Sequence, residues 1–333
     1  MYTPTMEVFV TGATGYIGYS LVKELIKRND RVSALVRSKE KAADLAAMGV
    51  KLYVGDLQNV QLLEQAMAGA SVVFHLAAYA KPWAKDERTY RQVNVTGTDH
   101  VLTAALKNNV QKVILTSTAS VYGPAPSPQH PVDENTRRTI PYTNSYESSK
   151  AEAEVLARSY VKQGLAVVIL SPTRVYGPGK ETDSNGIAKL LRLYLAGKWH
   201  FMPGDGNSVG NYCYVDDVVR GHLLAMAQGR SGENYLLGGE DATYQQLFAL
   251  IARLTGKQRK LIPIPGSLLR GASWVMVKLA KLTGTKPLIT PDWTRKLLLH
   301  WSVSSHKAER ELGYTITPLK EGLSRTLQSL QQK

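Results

Sequence analysis

The sequence predicts an α/β protein built on a doubly wound parallel sheet, and three observations carry that prediction. Short apolar runs of strand length alternate with amphipathic helical segments along the amino-terminal half. The first run is followed directly by Gly12-Ala-Thr-Gly15-Tyr-Ile-Gly18, so that a strand, a glycine turn and a helix come in succession. Further on, Tyr146-Glu-Ser-Ser-Lys150 falls where a helix begins, which stacks a phenol and an ammonium on one face about a turn apart.

Residues 7–11 read as a buried strand and 19–27 as the helix after it. Between them Gly12, Gly15 and Gly18, with Thr14, Tyr16 and Ile17 interleaved, allow a tight turn and a close approach to a pyrophosphate at the positive end of the helix. The spacing is G-x-x-G-x-x-G rather than the commoner G-x-G-x-x-G, and a ligand-free capping turn is the bland alternative. The second strand, 31–36, ends where an adenosine ribose would lie. A carboxylate there suits the ribose hydroxyls, whereas Arg suits a 2′-phosphate. Arg37, with Lys41 a turn onward, therefore points to NADP(H), with NAD(H) as the alternative cofactor and ordinary solvated charges as the bland reading.

A helix at 39–48 leads to a strand at 51–54 and then Asp56-Leu57, where Asp56 either accepts a hydrogen bond from adenine or caps the next helix. Residues 71–78 form a buried strand ending in Ala77 and Ala78, small enough to let a flat cofactor lie close. His75, inside that apolar strand, reads as a satisfied core histidine rather than a catalytic one. A helix at 87–107 contains Asn94, and the strand at 110–116 ends in Ser117-Thr118. Ligands of doubly wound sheets sit beyond the carboxyl ends of the strands, a place from which Thr118 can hydrogen-bond a substrate oxygen. The proline-rich loop 123–141 then returns the chain to Tyr146. A cation fixed beside that phenol favours the phenolate and brings its pKa, near ~10 when free, toward neutrality.

Composition narrows the class. The 333 residues are 44% hydrophobic and 20% charged, enough for one large or two smaller domains. No apolar run is long enough to span a bilayer, and Met1-Tyr-Thr-Pro-Thr-Met6 has neither basic residues nor an apolar core, so a cytoplasmic protein is expected. Cys213 is the only cysteine, which excludes an intramolecular disulfide. The net charge of +14 comes from scattered basic residues without a nucleic-acid motif, and a solvated basic surface is the preferred reading. No clustered His, Cys or Asp pattern suggests a metal.

Together Thr11-Gly-Ala-Thr-Gly-Tyr-Ile-Gly18, Asp56-Leu57, His75-Leu-Ala-Ala78, Thr116-Ser-Thr-Ala-Ser-Val-Tyr-Gly123 and Tyr146-x-x-x-Lys150 resemble the extended short-chain dehydrogenase/reductase family. That family contains NDP-sugar epimerases and dehydratases, dihydroflavonol reductases and 3β-hydroxysteroid dehydrogenases. Ser171-Pro-Thr-Arg-Val-Tyr-Gly-Pro-Gly179, Gly204-Asp-Gly206, Tyr214-Val-Asp-Asp-Val218 and Lys307-Ala-Glu-Arg-Glu-Leu-Gly-Tyr314 are similar to its later landmarks, so the resemblance spans nearly the whole chain. It implies a Rossmann-type NADP(H)-binding domain over 6–170 and a smaller substrate-binding lobe over 171–333, with segments near 212–216 and 234–237 returning to the first domain. It also implies that Tyr146 is the general acid/base, that Lys150 binds the nicotinamide ribose and lowers the Tyr146 pKa, and that Thr118 orients the substrate oxygen. Hydride then passes between C4 of the nicotinamide and a carbinol or carbonyl carbon. Pro172 and Val175 fall on the cofactor side of the matched motif, and Arg174 and Tyr176 on the substrate side.

Relatives acting on sugar nucleotides often carry Asn where this chain has Arg174, which lowers that reading while leaving a cation that can meet a phosphate. Residues 267–282 form a helix-like apolar stretch with Arg270, Lys278 and Lys281. Its apolar face is expected to pack into the small lobe, ahead of lining a substrate entrance or touching a membrane surface. The following Pro287-Leu-Ile-Thr-Pro291 and Trp301 resemble the reductase and hydroxysteroid-dehydrogenase side of the family, and 319–330 reads as a terminal amphipathic helix. The expectation is an NADP(H)-dependent oxidoreductase acting on a carbonyl or secondary alcohol of a small hydrophobic molecule, with a homodimer implied by the resemblance. An NDP-sugar epimerase or dehydratase with tightly bound NAD is the enzymatic alternative. A non-catalytic NADP(H)-sensing protein is the alternative of another class.

Overall fold

A computed structural model describes residues 5–81, 83–180, 185–283, 285, 287 and 289–331. Of the readings above, those on residues 1–4, on the side chain of Lys281 and on Leu288 lie outside the described residues.

β1 (Glu7–Thr11) runs through the glycine turn into α1 (Tyr16–Lys27), which starts a turn earlier than expected because the glycine loop itself supplies its amino-terminal end. β2 (Arg31–Val36) is followed by a 3-10 turn at Glu40–Ala42 and the short α2 (Ala43–Ala47), in place of one helix over 39–48. β3 (Lys51–Val54), α3 (Val60–Ala66) and β4 (Val72–His75) come next. The expected long helix is present as α4 (Arg88–Arg91) and α5 (Gly97–Lys107), joined by a π-helical stretch at Gln92–Thr96. β5 (Lys112–Thr116), α6 (Ser145–Val161) and β6 (Val167–Pro172) complete this half.

Beyond it lie β7 (Arg174–Tyr176), α7 (Gly186–Leu195), β8 (Phe201–Pro203), β9 (Val209–Tyr214), α8 (Val215–Gln228), β10 (Asn234–Leu237) and β11 (Glu240–Thr243). α9 (Tyr244–Thr255), β12 (Ile262–Ile264), α10 (Gly266–Thr283), α11 (Pro291–Leu297), α12 (His306–Leu312) and α13 (Leu319–Gln331) finish the chain.

The main sheet has seven strands in the order β10-β6-β5-β4-β1-β2-β3, all parallel. Its two faces are both covered, as continuous apolar strands require. Leu21, Leu25, Val218 and Leu312 from α1, α8 and α12 close one face. Leu63, Val101, Leu102 and Ala157 from α3, α5 and α6 close the other. Strand order reverses between β1 and β4, which places the ligand crevice beyond their carboxyl ends. A separate core of Tyr176, Leu191, Tyr194, Tyr212, Phe248 and Leu323 organises the small lobe.

Two expectations about the second half are corrected. Residues 234–237 join the main sheet as β10, but the strand near 212–216 does not. It is the end of β9, which pairs with β7 and β11 in a three-stranded sheet because β7 diverges from β6 and offers its own parallel edge. Only the helix that follows, α8, returns to pack on β5 and β6. The apolar face of α10, expected in the lobe core, is exposed at Leu268, Trp274, Val275, Leu279 and Leu282, while Leu269, Ser273 and Ala280 are the positions buried. Leu269 is the one large apolar side chain among these three inward positions.

Candidate active site

The glycine turn is built for a close approach. Gly12 has φ of +78°, and a Cβ on it would lie 2.6 Å from the Ala77 backbone nitrogen. A Cβ on Gly18 would lie 2.2 Å from the Gly12 carbonyl oxygen. The loop after β1, the segment after β4 and the first turn of α1 are thus pressed together at the strand-order reversal. Gly15 is the N-cap of α1 and supplies no side chain to its free amides, nor does an acidic residue occupy the first turn. A side-chain-free loop against a helix amino terminus fits a pyrophosphate. Thr14 and Ile17 are half-buried at this loop, and Ala78 follows Ala77, whose amide donates to Thr11 Oγ1 at 3.3 Å.

Other expected cofactor residues divide. Arg37 and Lys41 are exposed past the end of β2, and among the described residues neither forms an ion pair, while nearby Glu40 accepts from Ser38 Oγ at 2.6 Å. Asp56 is exposed and accepts the Gln58 amide at 2.8 Å. It does not cap α3: Asn59 does, accepting the Leu62 amide at 3.0 Å, because the cap must sit immediately before the helix. Leu57 is buried against Gly97, and its carbonyl accepts from His100 Nδ1 at 2.8 Å. The Tyr16 side chain is sealed beneath Gly177 and Gly179, which leaves only its backbone to the crevice.

Asn144 caps α6 through the Glu147 amide at 2.9 Å, fixing the helix start one residue before Tyr146. Tyr146 is half-buried and Lys150 is 3% exposed, with Nζ donating to the Thr116 carbonyl at the end of β5 at 2.5 Å. Thr118 lies near enough to the Tyr146 phenol to lower its pKa, and its Oγ1 approaches Ser120 Oγ at 3.1 Å. Neighbouring Ser117 is 4% exposed and donates to Glu154 Oε1 at 2.5 Å, so its hydroxyl is committed inside the fold and Thr118 is the hydroxyl at the site.

The expected depression of the Tyr146 pKa is not what the structure gives. Burial pushes the phenol up to about 12, the nearby Thr118 hydroxyl pulls it down, and the adjacent Glu147 charge raises it. Lys150 is itself lowered to about 8 by burial, against the opposing pull of Glu154, and directs a proton at Thr116. At neutral pH this arrangement keeps the phenol protonated and the Lys150 amine charged, with its proton directed at Thr116.

Sequence reasoning missed the groups that hold the site together. Glu147, fully buried, pairs with Arg138 Nη2 at 2.8 Å and Lys296 Nζ at 2.7 Å, and accepts the Thr143 amide at 2.9 Å. Burial opposes its ionisation, but the Lys296 charge and the Thr143 amide outweigh that and keep its pKa below the usual value. Arg138 also donates to the carbonyls of Ser120 at 2.6 Å and Ile140 at 2.8 Å, tying the turn after Thr118 to the start of α6. Asn94, in the π-helical stretch, accepts the Tyr79 amide at 2.7 Å and donates to Ser149 Oγ at 3.0 Å, and Ser149 donates to the Tyr146 carbonyl at 2.9 Å. A charged residue in the first helical turn and an Asn inside a helix were the available signals. His75 is buried between Thr11 Oγ1 at 2.6 Å and Thr98 Oγ1 at 2.9 Å and stays neutral, its pKa lowered to about 3 by burial.

Of the motif after β6, the cofactor-side Pro172 is buried at the strand's end and Val175 packs beside the main core, while the substrate-side residues stand differently. Tyr176 is fully buried, edge-on to Tyr214 at 5.7 Å, so it belongs to the lobe core and not to a substrate surface. Arg174 is held between two rings: its guanidinium lies 5.8 Å from the Tyr212 centroid and 5.7 Å from that of Tyr244, and it donates to the Tyr244 hydroxyl at 2.9 Å. Among the described residues it has no carboxylate partner.

Comparison with known proteins agrees with this geometry. Residues 8–238 match the model of a family described as NAD dependent epimerase/dehydratase. The chain is 30% identical to a putative dihydroflavonol 4-reductase of Synechocystis sp., over 95% of this chain and 92% of the relative. It is 29% identical to 3beta-hydroxysteroid-dehydrogenase/decarboxylase isoform 1 of Arabidopsis thaliana, over 96% of this chain and 78% of the relative. Among solved structures, UDP-glucose 4-epimerase of Thermotoga maritima, with UDP-glucose, is similar at a TM-score of 0.81 and 25% identity, covering 98% of this chain and 99% of that one.

Proposed function

The chain belongs to the NAD dependent epimerase/dehydratase family, and from that premise we propose that it is an NADP(H)-dependent oxidoreductase acting on a carbonyl, or the matching secondary alcohol, of a small hydrophobic molecule. The observation that carries this reading is the grouping of Thr118, Tyr146 and Lys150 at the carboxyl end of β5. Arg37 and Lys41 at the end of β2 support the 2′-phosphate, and the names of the reductase and hydroxysteroid-dehydrogenase relatives support the substrate class.

The cofactor, held by the Gly12 to Gly18 loop and the segment at Ala77, supplies hydride chemistry when bound. The chain's own residues do the rest. Thr118 and Tyr146 orient the substrate oxygen, and Tyr146 donates its proton to that oxygen as it gains charge. Lys150, fixed by Thr116, stabilises the phenolate that remains. A phenol protonated at neutral pH is in the state that can donate to a carbonyl oxygen.

The test is titration of the purified protein with NADPH and NADH, followed by nicotinamide fluorescence, then a panel of hydrophobic ketones and aldehydes. Selective, reversible NADPH binding with turnover of a panel member supports the reading. Tyr146→Phe should keep NADPH binding and lose most turnover, and unchanged turnover would remove the assigned role. A second reading, an NDP-sugar epimerase or dehydratase, is favoured by Arg174, a cation without a carboxylate partner among the described residues and so available to a phosphate. Tightly retained NAD with little exchange, and conversion of a UDP- or dTDP-sugar, would establish it instead.

A further inference from the structure

Five large apolar side chains of α10, Leu268, Trp274, Val275, Leu279 and Leu282, are between 54% and 82% exposed. Leu268, Val275, Leu279 and Leu282 are spaced by seven, four and three residues, which aligns them in one stripe along a helix of 18 residues, about 27 Å long. Lys278 and then Trp274 flank one edge of the stripe, Arg270 lies further round the helix, all three are exposed, and the buried residues Leu269, Ser273 and Ala280 take the far side. Folding has therefore used the weaker apolar face and left the stronger one to solvent, which a solitary surface Leu would not imply.

Charge distinguishes what this stripe fits. No Asp or Glu occurs between Asp241 and Asp292, while eight Lys or Arg do, although the chain as a whole carries only fourteen excess positive charges. The cations at residues 253, 257, 259 and 260, just before β12, are exposed, as is Ile262. An apolar stripe bordered by an amphipathic Trp and embedded in an acid-free basic segment matches the boundary of an anionic bilayer, with acyl chains beneath the stripe and headgroups at the cations. A second copy of the chain would bring the same positive segment against itself, and a nucleic acid would leave the leucines in water. Among the described residues no helix is long and apolar enough to cross a membrane, so α10 would lie along the surface.

We propose that α10 is a peripheral docking element for an anionic lipid surface. It packs against α11, whose Lys296 meets Glu147, the residue after Tyr146, so one helix separates the docking element from the candidate site.

The experiment is co-sedimentation of the full chain with vesicles of phosphatidylcholine alone and of phosphatidylcholine mixed with phosphatidylglycerol, at low and high salt. The wild type should pellet with the mixed vesicles, less so at high salt. With about 1 kcal/mol per surface cation, Arg270→Glu/Lys278→Glu should weaken partitioning by about tenfold or more. Val275→Ser/Leu279→Ser/Leu282→Ser should weaken it on both vesicle types and at both salt levels. These side chains are exposed, and unchanged melting temperature and NADPH fluorescence would show that the variants fold. Equal pelleting of wild type and variants overturns the proposal, as does no pelleting of the wild type. Absence of vesicle binding together with a dimer that the serine variant abolishes overturns it too, in favour of a self-association surface.

Discussion

Glu147→Gln removes one charge and almost no volume from the centre of the Arg138, Glu147 and Lys296 cluster. Glu147 is fully buried and its partners' side chains are 10% and 23% exposed, so the substitution leaves two cations facing each other with little water to screen them. Breaking a buried pair from one side destabilises by about 3–5 kcal/mol. The lower figure applies because Arg138 keeps its bonds to the Ser120 and Ile140 carbonyls. At about 2.1 cal/mol/K of unfolding entropy per residue over 333 residues, ~3 kcal/mol is a fall in melting temperature of about 4 °C.

The sign with pH follows from the folded-state pKa of Glu147, which lies below that of an unfolded carboxyl. Its stabilisation is complete above the unfolded value near ~4.3 and fades as pH falls through the folded one, so the gap between wild type and variant should close in acid. The same substitution removes a negative charge that raises the Tyr146 pKa, and the alkaline limb contributed by Tyr146 should move toward neutrality. Thermal melts across pH and a pH profile of carbonyl reduction test both consequences. A variant that melts with the wild type at neutral pH, or whose gap widens in acid, would refute the reasoning.

Three further outcomes are expected. Arg37→Asp should lower the preference for NADPH over NADH at least about tenfold, since it replaces a phosphate partner with a repelling carboxylate; an unaltered ratio of dissociation constants would assign the 2′-phosphate to other residues. Gly12→Ala should destabilise by more than about 2 kcal/mol and Gly49→Ala by only about 1 kcal/mol, because both have positive φ but only Gly12 has backbone within reach of the added carbon, a difference that melting temperatures resolve. Reductive turnover should fall as pH rises through about 8, where Lys150 loses its proton, and a profile flat across that range would remove the ammonium from the reaction.

What was legible in the sequence was local. β1, β2 and β3 begin and end where apolar runs do, and the spacing of Tyr146 and Lys150 puts both on one face of α6, from which Lys150 reaches the end of β5. The partners of Glu147 were not legible. Arg138 lies in an irregular loop and Lys296 in the other lobe, and no periodicity links them. The destination of β9 depended on which strand edge was open, a property of the assembled sheets. For α10, periodicity finds an apolar stripe but is silent on whether another element covers it.

α6 explains why the candidate catalytic pair was readable and the substrate was not. Tyr146, Lys150, Glu154 and Arg158 recur every four residues, so they form one row along the helix. Each of the inner members is committed to the parallel sheet: Lys150 to Thr116, and Glu154 to Ser117 and to Asn234 Nδ2 of β10 at 3.1 Å, with Arg158 closing the row at 3.5 Å. The helix is thus registered against β5 and β10 by side chains that a four-residue spacing alone predicts to align. Tyr146, at the open end of that row, inherits its position from the sheet. Arg174 and Lys296 depend instead on how the small lobe's chain segments return to the site. Chemistry carried by the row can persist while the lobe changes, which is why the residues of this chain speak more clearly about proton transfer than about the molecule that receives the proton.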